Sequence, residues 1–386
     1  MRYRHHGDSP KRSKHSDRIQ GDRMTVGNGV LVTGGAGFIG SALSRVMART
    51  AERWVVIDNL HPQIHSCERP RGLDLRAELV VGDIEQPGIW DSVLRDFQPK
   101  VVVHLAAETG TAQSLTEASR HARVNVLGTA VMLDAFARNG QVPSHFVLAS
   151  SRAVYGEGRW EREDGTIVQP GVRSHAQLAR GEWDIAGARP LPSSAADTPA
   201  RPTSVYGATK LAQEHILSAW TASNEASLSI ARLQNVYGPG QSLTNSYTGI
   251  VTLFSRLARA GRSIPLYEDG LVVRDFIYID DVVRAIRKII DRKRIPENNE
   301  IFDVGSGVLS TISSLADTVA RLHGAPSPHV SGRFRDGDVR FAACDVGPTE
   351  RALDWRSRVD LSDGVALLQE WIDKATIRTL PDQLLG

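Results

Sequence analysis

The sequence has few cysteines, no long apolar run and almost no net charge, and each shortage excludes a class of protein. Its two cysteines, Cys67 and Cys344, are far apart and form no C-x-x-C pair, so we expect no disulfide framework, no zinc ribbon and no other metal site; a reducing cytoplasm is the default location. No apolar run approaches the ~20 residues that cross a bilayer, and the N-terminus lacks the apolar stretch of a signal peptide. The formal net charge of +2 gives no reason to expect nucleic acid as a partner.

What the sequence does contain is typical of a globular protein: 386 residues, of which 41% are hydrophobic and 23% charged. That length suits two or three average domains, or a nucleotide-binding α/β domain with a smaller substrate lobe. Residues 1–28 are rich in Arg, Lys, His, Asp and Ser and show little apolar periodicity, so we predict a disordered basic tail there. Met24 is an alternative start, and we assign no function to the tail.

From Gly29 onward, short apolar runs alternate with segments of helical spacing. The runs predict strands at 30–32, 54–57, 79–81, 101–105 and 146–148, with helices such as 90–97 and 123–139 between them. Alternating strands and helices imply right-handed crossovers and a parallel sheet covered on both faces. We therefore predict an α/β fold with a doubly wound (Rossmann) parallel sheet, which binds ligands at the carboxyl ends of its strands.

A glycine-rich corner follows the first predicted strand. Gly34, Gly37 and Gly40 fall at intervals of three, ahead of a segment with helical spacing. Glycines let the backbone approach a phosphate closely, and the N–H groups and positive dipole end of the following helix favour a pyrophosphate. Turns and close packing also use such glycines, so the pattern alone leaves both interpretations open.

Acidic residues follow the next two predicted strands. Asp58 ends the second strand, at a spacing from the glycines that suits an acid binding the adenosine ribose hydroxyls. It would repel a 2′-phosphate, and no Arg or Lys follows it immediately, which favours NAD over NADP. Asp83 and Ile84 follow the third strand, where a side chain can reach the adenine edge. The alternatives are a capping or turn role for Asp58 and a turn role for Asp83.

Two further segments indicate proton-transfer chemistry. A predicted strand ends in Ser150-Ser151, and Tyr206 and Lys210 are spaced i and i+4, which places them on one face of a helix. A lysine cation near the phenol should lower the pKa of Tyr206 from ~10 toward the working pH, as a general base requires. A lone Tyr-x-x-x-Lys is common on solvated helix faces, but its position after a dinucleotide fingerprint makes it more specific.

Together, residues 33–40 (T-G-G-A-G-F-I-G), 104–108 (H-L-A-A-E), Ser150-Ser151 and Tyr206-x-x-x-Lys210 resemble the extended short-chain dehydrogenase/reductase family, in particular its nucleoside-diphosphate-sugar epimerases and dehydratases. The resemblance covers roughly residues 29–375. It implies that Ser151 and Tyr206 are the catalytic pair and that Lys210 positions the nicotinamide ribose and tunes Tyr206. It also implies an NAD site formed by Gly34, Gly37, Phe38, Ile39, Gly40, Asp58, Asn59, Asp83, Ile84, Leu105, Ala106, Ala107, Tyr206 and Lys210.

The same resemblance implies a nucleotide-sugar site in the C-terminal half. Asn235 lies in a segment similar to the one that contacts the substrate phosphates, and Arg274 in a segment similar to the one that binds the diphosphate. Arg335 and Asp338 belong to a segment similar to the one that closes over the nucleotide. A diphosphate suits arginine because the guanidinium is a planar fork of fixed donors. For Arg274, the alternative is a surface ion pair with a neighbouring aspartate.

The residues after Ser151 discriminate among reactions within the family. Its 4,6-dehydratases carry Asp-Glu immediately after the catalytic hydroxyl residue, whereas this chain has Arg152 and Ala153, which cannot supply that acid and base. The resemblance therefore implies epimerisation at C4 of a nucleotide sugar through a transient 4-keto intermediate, with a hydride lent to NAD and returned. A UDP-hexose 4-epimerase, a nucleotide-sugar reductase or dehydratase, and a non-catalytic NAD-sensing protein are the alternatives.

An insert at about 157–200 separates Ser151 from Tyr206. It is polar and rich in Pro and Gly, so we predict a long surface excursion, which is as readily an inert decoration as a substrate lid or dimer contact. The insert, residues 108–114 and the loop around Tyr247 resemble the subgroup that inverts C4 of dTDP-L-rhamnose to give dTDP-6-deoxy-L-talose. That implies a dTDP-sugar substrate contacted by Glu108, Thr109, Thr111, Ser151 and Arg152, unless these polar loop residues pack under the cofactor instead.

We expect residues 29–231 to form the NAD-binding domain and residues 232–386 mostly a nucleotide-sugar lobe, with some segments returning to the first domain. Family members usually dimerise through the helices equivalent to 122–139 and 206–221. A homodimer is therefore the expected assembly.

Overall fold

The computed structural model describes residues 29–65, 69–243, 249–292 and 299–377. The tail predicted over residues 1–28 and the loop around Tyr247 lie outside the described residues. The strands in the described part of the chain are β1 (Val30–Thr33), β2 (Trp54–Asp58), β3 (Glu78–Val81), β4 (Val101–His104), β5 (His145–Ser151), β6 (Arg159–Arg162), β7 (Ile167–Val168), β8 (Ala188–Leu191), β9 (Ser227–Leu233), β10 (Asn235–Tyr237), β11 (Pro265–Leu266), β12 (Val273–Tyr278), β13 (Asn299–Val304), β14 (Leu309–Thr311), β15 (His329–Val330) and β16 (Phe341–Ala342).

The helices in the same residues are α1 (Phe38–Met47), α2 (Pro87–Asp96), α3 (Thr111–Ser114), α4 (Ala118–His121), α5 (Gly128–Arg138), α6 (His175–Ala179), α7 (Val205–Ser223), α8 (Ile250–Arg259), α9 (Ile279–Asp291), α10 (Ile312–His323), α11 (Gly347–Leu353) and α12 (Leu361–Ile377). A π-helical segment (Ala122–Leu127) joins α4 to α5, and a 3-10 turn (Arg152–Tyr155) follows β5.

Seven parallel strands form the central sheet, in the order β13-β9-β5-β4-β1-β2-β3. Strands β1, β2 and β4 are buried along their whole length, because they are apolar runs covered on both faces. Val30 and Val32 belong to one core cluster and Leu31 to the other, as the alternation of side chains along a strand requires. The predicted doubly wound α/β fold is confirmed.

The chain also forms a smaller mixed sheet from β10, β12, β14 and β16. Strand β12 runs parallel to β10 and β16 and antiparallel to β14, so it is the central strand of this group. Arg274 lies on β12, opposite Ser310 on one side and Ala342 on the other. Strand β13 follows β12 and α9 in sequence but completes the edge of the central sheet, so the chain returns there after leaving it.

The insert, most of whose residues are exposed or half-buried, carries secondary structure that its sequence pattern did not predict. Strands β6, β7 and β8 form an antiparallel sheet, and Trp160 of β6 is 1% exposed and packs with Phe341 and Ala343. Ser193 exchanges backbone hydrogen bonds with Ala343 (3.0 Å) and Asp345 (2.8 Å). The strands have only two to four residues and few apolar positions, so their periodicity was too short to predict a sheet. The insert is thus an ordered segment that packs against the smaller sheet.

No helix among the described residues is long and apolar enough to cross a membrane. Within the same residues, no group of three or more His, Cys, Asp or Glu side chains is arranged to hold a metal ion.

Candidate active site

The glycine corner between β1 and α1 opens into a groove of about 1120 Å³, at the point where the strand order of the central sheet reverses. Gly34 has a φ of +64°, and a Cβ at this position would lie 2.6 Å from the backbone nitrogen of Ala106. A Cβ on Gly40 would lie 2.4 Å from the Cα of Gly35, so glycine is what allows α1 to pack this closely against the turn. The first residues of α1 line the groove, which places the amino end of a helix beside it.

The groove brings together every predicted cofactor residue except Tyr206 and Lys210. The Asp58 carboxylate accepts hydrogen bonds from the backbone nitrogens of Ala36 (3.0 Å) and Leu60 (2.9 Å), and Asn59 donates to Asp83 (3.0 Å) at the ends of β2 and β3. A carboxylate has about four acceptor positions, so Asp58 keeps capacity for ribose hydroxyls. These residues fit a dinucleotide with an unphosphorylated adenosine ribose.

The predicted catalytic pair meets where β5 ends and α7 begins. Ser151 is the last residue of β5, and its Oγ accepts a hydrogen bond from the backbone nitrogen of Ala153 (3.1 Å). Tyr206 lies in the first turn of α7, whose amino end is capped by Ser204, and the Ser151 and Tyr206 side chains are hydrogen-bonded. A Cβ at Gly207 would lie 2.5 Å from the carbonyl oxygen of Ala153, so α7 contacts the 3-10 turn directly. That contact holds the two hydroxyl groups together.

The pKa of Tyr206 shifts in the direction opposite to the sequence-based prediction. Burial raises the pKa of the phenol above its ordinary value, while the hydrogen bond from Ser151 and the positive charge of Arg152 lower it. Arg152, and not Lys210, is the cation that acts on Tyr206 in this structure. The prediction failed because burial, which the i,i+4 spacing does not show, has the largest effect on the pKa of Tyr206.

Lys210 is buried, and sequence reasoning missed the residues that hold it. Its ammonium donates to Oε1 of Gln213, whose Nε2 donates to His104 (3.0 Å) and Thr129 (2.9 Å). The other ring nitrogen of His104 is hydrogen-bonded to Thr33 (2.6 Å). Burial lowers the pKa of Lys210 to about 7, and burial together with the nearby Lys210 charge lowers the pKa of His104 to about 3. His104 is therefore a neutral acceptor that anchors Gln213 and, through it, Lys210.

The loop after β4 is fixed to the catalytic helix by one asparagine. Asn125 accepts from the backbone nitrogen of Glu108 (2.8 Å), donates to the carbonyl oxygen of the same residue (3.1 Å) and donates to Thr209 of α7 (2.9 Å). It lies in the π-helical segment, a distortion that is frequent at functional sites. The Glu108 side chain pairs with Arg120 (2.8 Å), and both Glu108 and Thr109 line the groove. Thr111, the first residue of α3, is not among the lining residues.

Arg274 and Asp338, two predicted substrate residues, form an ion pair. Arg152, a nearby cation, has no ion-pair partner among the described residues. Arg274 is paired with Asp338 (2.9 Å) and also donates to the carbonyl oxygen of Val339 (2.9 Å), so its partner is not one of the neighbouring aspartates. Among the described residues, Arg152 has no hydrogen-bond or ion-pair partner; burial and the like charge of Arg274 lower its pKa to about 10. The Oδ1 atom of Asn235 is buried without a hydrogen-bond partner. The two arginines suit an anionic ligand, whereas the Asn235 oxygen is an acceptor that would take a hydrogen bond from a donor group of a ligand.

Arg335 lies over an aromatic ring at the surface. It is exposed, and its guanidinium lies 4.9 Å from the centre of the Tyr267 ring, with Arg333 5.3 Å from the same ring. Asp338, three residues later, reaches Arg274. Asp338 thus pairs with Arg274, whereas Arg335 lies over the ring of Tyr267.

Comparison with known proteins identifies similar chains. Residues 30–305 match the model of the NAD dependent epimerase/dehydratase family. A dTDP-L-rhamnose 4-epimerase of Burkholderia thailandensis is 58% identical over 90% of this chain and 96% of its own. The UDP-glucose 4-epimerase of Thermotoga maritima, solved with UDP-glucose, has a TM-score of 0.74 at 28% identity and covers 90% of this chain and 99% of its own. The Thermus thermophilus UDP-glucose 4-epimerase, complexed with NAD, has a TM-score of 0.72 at 28% identity with coverages of 90% and 99%.

Proposed function

Because the chain belongs to the NAD dependent epimerase/dehydratase family and is an NAD-dependent nucleotide-sugar 4-epimerase, we propose that it interconverts dTDP-L-rhamnose and dTDP-6-deoxy-L-talose. The observation that carries this choice of substrate is the similarity to the Burkholderia thailandensis enzyme over nearly the whole chain. The UDP-glucose 4-epimerases of known structure favour a UDP-hexose as the second candidate.

Tyr206 and Ser151 carry the proton transfer in this proposal. Bound NAD would supply a reversible hydride acceptor for C4 of the sugar, so that C4 could be oxidised and then reduced on its opposite face. Tyr206 accepts the proton of the 4-hydroxyl and gives it back at the end of the cycle, and Ser151, hydrogen-bonded to Tyr206, holds O4 and relays that proton. Lys210 holds the nicotinamide ribose, and the groove residues from Gly34 to Ala107 hold the rest of the dinucleotide.

The cations on the other side of Tyr206 would bind the substrate phosphates. Arg274 is oriented by Asp338, and Arg152 has no partner of its own, so a diphosphate placed between them would neutralise two like charges. Asn235 would contact the substrate through its buried, unpaired Oδ1, which can accept a hydrogen bond from a donor group of the ligand, and the segment from Arg335 to Asp338 would close over the nucleotide. Arg152 and Ala153 follow Ser151, so this proposal has no acid and base for 4,6-dehydration.

Three further parts of the proposal concern organisation. We keep the division into an NAD-binding domain (29–231, with the insert) and a nucleotide-sugar lobe (mostly 232–386). A homodimer would form through α5 with its π-helical segment and α7, and half-exposed Leu127 on that surface fits this. Size-exclusion chromatography with light scattering checks the dimer. A cytoplasmic location is consistent with the free, buried thiol of Cys344.

The decisive experiment incubates the purified protein with dTDP-L-rhamnose, with no added or only catalytic NAD, and identifies the product by NMR. We expect dTDP-6-deoxy-L-talose and no net absorbance change at 340 nm, because C4 is oxidised and reduced in the same cycle. Parallel reactions with UDP-glucose and UDP-galactose test the second candidate. Turnover of a UDP-hexose without turnover of dTDP-L-rhamnose would overturn the proposed substrate, and stoichiometric consumption of reduced cofactor would indicate a reductase.

A further inference from the structure

Arg173, in the insert, is a buried arginine whose five N–H donors are all used. Its Nε donates to Glu157 at 3.2 Å, and its two terminal nitrogens donate to the two carboxylate oxygens of Glu268 at 2.9 Å each. The remaining N–H groups donate to backbone carbonyls, of Trp183 at 2.9 Å and of Asp338 at 2.8 Å. The side chain is 1% exposed, so these bonds are shielded from water and from salt.

Glu268, the main partner of Arg173, is itself in an unusual conformation. Its φ is 53°, in the left-handed region that side chains other than glycine rarely adopt, and it is 2% exposed. A second buried arginine, Arg340, donates to the same carboxylate (3.2 Å) and to Asp269 (2.6 and 2.8 Å). Two guanidinium groups from different parts of the chain therefore fix the turn that leads into β12, the strand of Arg274.

Asp338 connects the hydrogen bonds of Arg173 to Arg274, the residue proposed to bind the substrate diphosphate. Its backbone carbonyl accepts from Arg173 (2.8 Å), and its carboxylate accepts from Arg274 (2.9 Å). Arg173 thus acts on both partners of the Arg274–Asp338 ion pair. It holds Asp338 directly, through the backbone carbonyl, and it holds the turn before the strand of Arg274 through Glu268.

We propose that Arg173 is a positioning residue through which the insert holds Arg274 and Asp338 in the geometry that binds the substrate diphosphate. The proposal rests on the proposed function, which makes Arg274 a phosphate ligand. A merely decorative insert would be attached more simply by apolar packing such as that of Trp160, because buried ion pairs are weak sources of stability but fix orientation. The insert is therefore part of the substrate site and contributes to nucleotide affinity.

The test compares Arg173→Lys with the wild type and with a matched control, Arg180→Lys. Lysine keeps the charge but cannot provide the planar fork, so the variant should fold while losing the bonds to Asp338 or Glu268. Arg180 lies in the same insert but is exposed and pairs with Glu182 alone. For each protein, we would measure the Kd of dTDP by calorimetry, the NAD content, and KM and kcat for dTDP-L-rhamnose.

We expect Arg173→Lys to raise the Kd of dTDP and KM at least tenfold, with kcat and NAD content within twofold of wild type, and Arg180→Lys to change none of them. Unchanged dTDP affinity in a folded Arg173→Lys protein would overturn the proposal. Equal losses of dTDP affinity, kcat and NAD content would overturn it as well, because they indicate a general structural role. A wild type that binds UDP rather than dTDP contradicts the proposed substrate instead; the same comparison with UDP then tests Arg173.

Discussion

Replacing Gly207 with alanine tests whether direct contact between α7 and the 3-10 turn assembles the catalytic pair. The new Cβ would lie 2.5 Å from the carbonyl oxygen of Ala153 and 3.0 Å from the Cβ of Pro202. The oxygen is backbone and the carbon belongs to a proline, so neither can rotate away. The amino end of α7 must move outward, and Tyr206, one residue earlier in the same turn, moves with it.

We expect that movement to lower kcat more than it lowers the stability of the fold. Raising the 2.5 Å contact to a tolerable 3.0 Å takes a shift of about 0.5 Å, and misplacements approaching ~1 Å can lower a rate about 100-fold. Overpacking of this kind destabilises by about 1–3 kcal/mol, which a protein of this size should tolerate. Half of that displacement corresponds to about a tenfold loss, so we expect kcat for dTDP-L-rhamnose to fall about tenfold in a protein that remains folded and retains NAD.

The matched control is Gly88→Ala. Gly88 lies in α2, and a Cβ there would meet no atom within 4 Å. This substitution should leave kcat unchanged and stabilise the protein by about 0.5–1 kcal/mol, because alanine is the better helix former. Initial rates by NMR, thermal unfolding and NAD content are compared for the three proteins. If Gly207→Ala keeps wild-type kcat, the contact with Ala153 does not set the Ser151 and Tyr206 geometry.

Three further predictions concern charge and proton transfer in the site. Tyr206→Phe should retain NAD but lose about 10³-fold in kcat, measured as dTDP-6-deoxy-L-talose formed, since the general base is removed; rates near wild type would refute its role. Arg152→Gln should raise KM at least tenfold, because it removes a charge-assisted contact worth about 1.5–3 kcal/mol. It should also move the acidic limb of the kcat pH profile to higher pH, because the Arg152 charge lowers the pKa of Tyr206. An acidic limb at the wild-type pH would contradict this. Burial lowers the pKa of Lys210 to about 7, whereas an unfolded lysine has a pKa of ~10.4, so between these values the unfolded chain binds the extra proton. Relative to Lys210→Met, the wild-type free energy of unfolding should therefore rise with pH in this window, by up to ~1.4 kcal/mol per unit; equal differences at pH 7.5 and 9.5 in denaturant titrations would exclude the shift.

The sequence-based predictions succeeded where the physical cause is local. The buried strands are short apolar runs, Asp58 directly follows one of them, and Tyr206 and Lys210 share a helix through their spacing alone. They failed where the cause is a contact between distant segments. The His104 and Gln213 bonds that orient Lys210 join β4 to α7, and no periodicity encodes them. The expectation for the pKa of Tyr206 failed because the depth at which the phenol is buried also depends on the packing of distant segments.

The insert is a stronger example of contacts between distant segments that the sequence does not reveal. Arg173 lies in a Pro/Gly-containing stretch with no apolar periodicity and resembles any polar loop residue, although it is among the most buried charges of the described chain. Its burial is possible only because Glu157 and Glu268, which are remote in sequence, supply both carboxylates. A buried arginine of this kind becomes recognisable only when its partners are known, so composition alone predicted an excursion.

The distribution of charge in the site favours anchoring the substrate by its diphosphate. Arg152, which has no partner, places positive charge near Tyr206, and Arg274 lies near Arg152 with its own charge offset by Asp338. Of the loop residues predicted to contact the sugar, Glu108, Thr109 and Thr111, only Glu108 is charged, and its carboxylate is already paired with Arg120. Epimerisation requires the 4-keto sugar to present both faces of C4 to the same cofactor, and strong contacts to the sugar would oppose that rotation. We therefore expect the nucleoside diphosphate to supply most of the binding free energy, so that dTDP alone binds nearly as tightly as dTDP-L-rhamnose; a dTDP affinity more than 100-fold weaker, measured by calorimetry, would show that the sugar is held firmly instead.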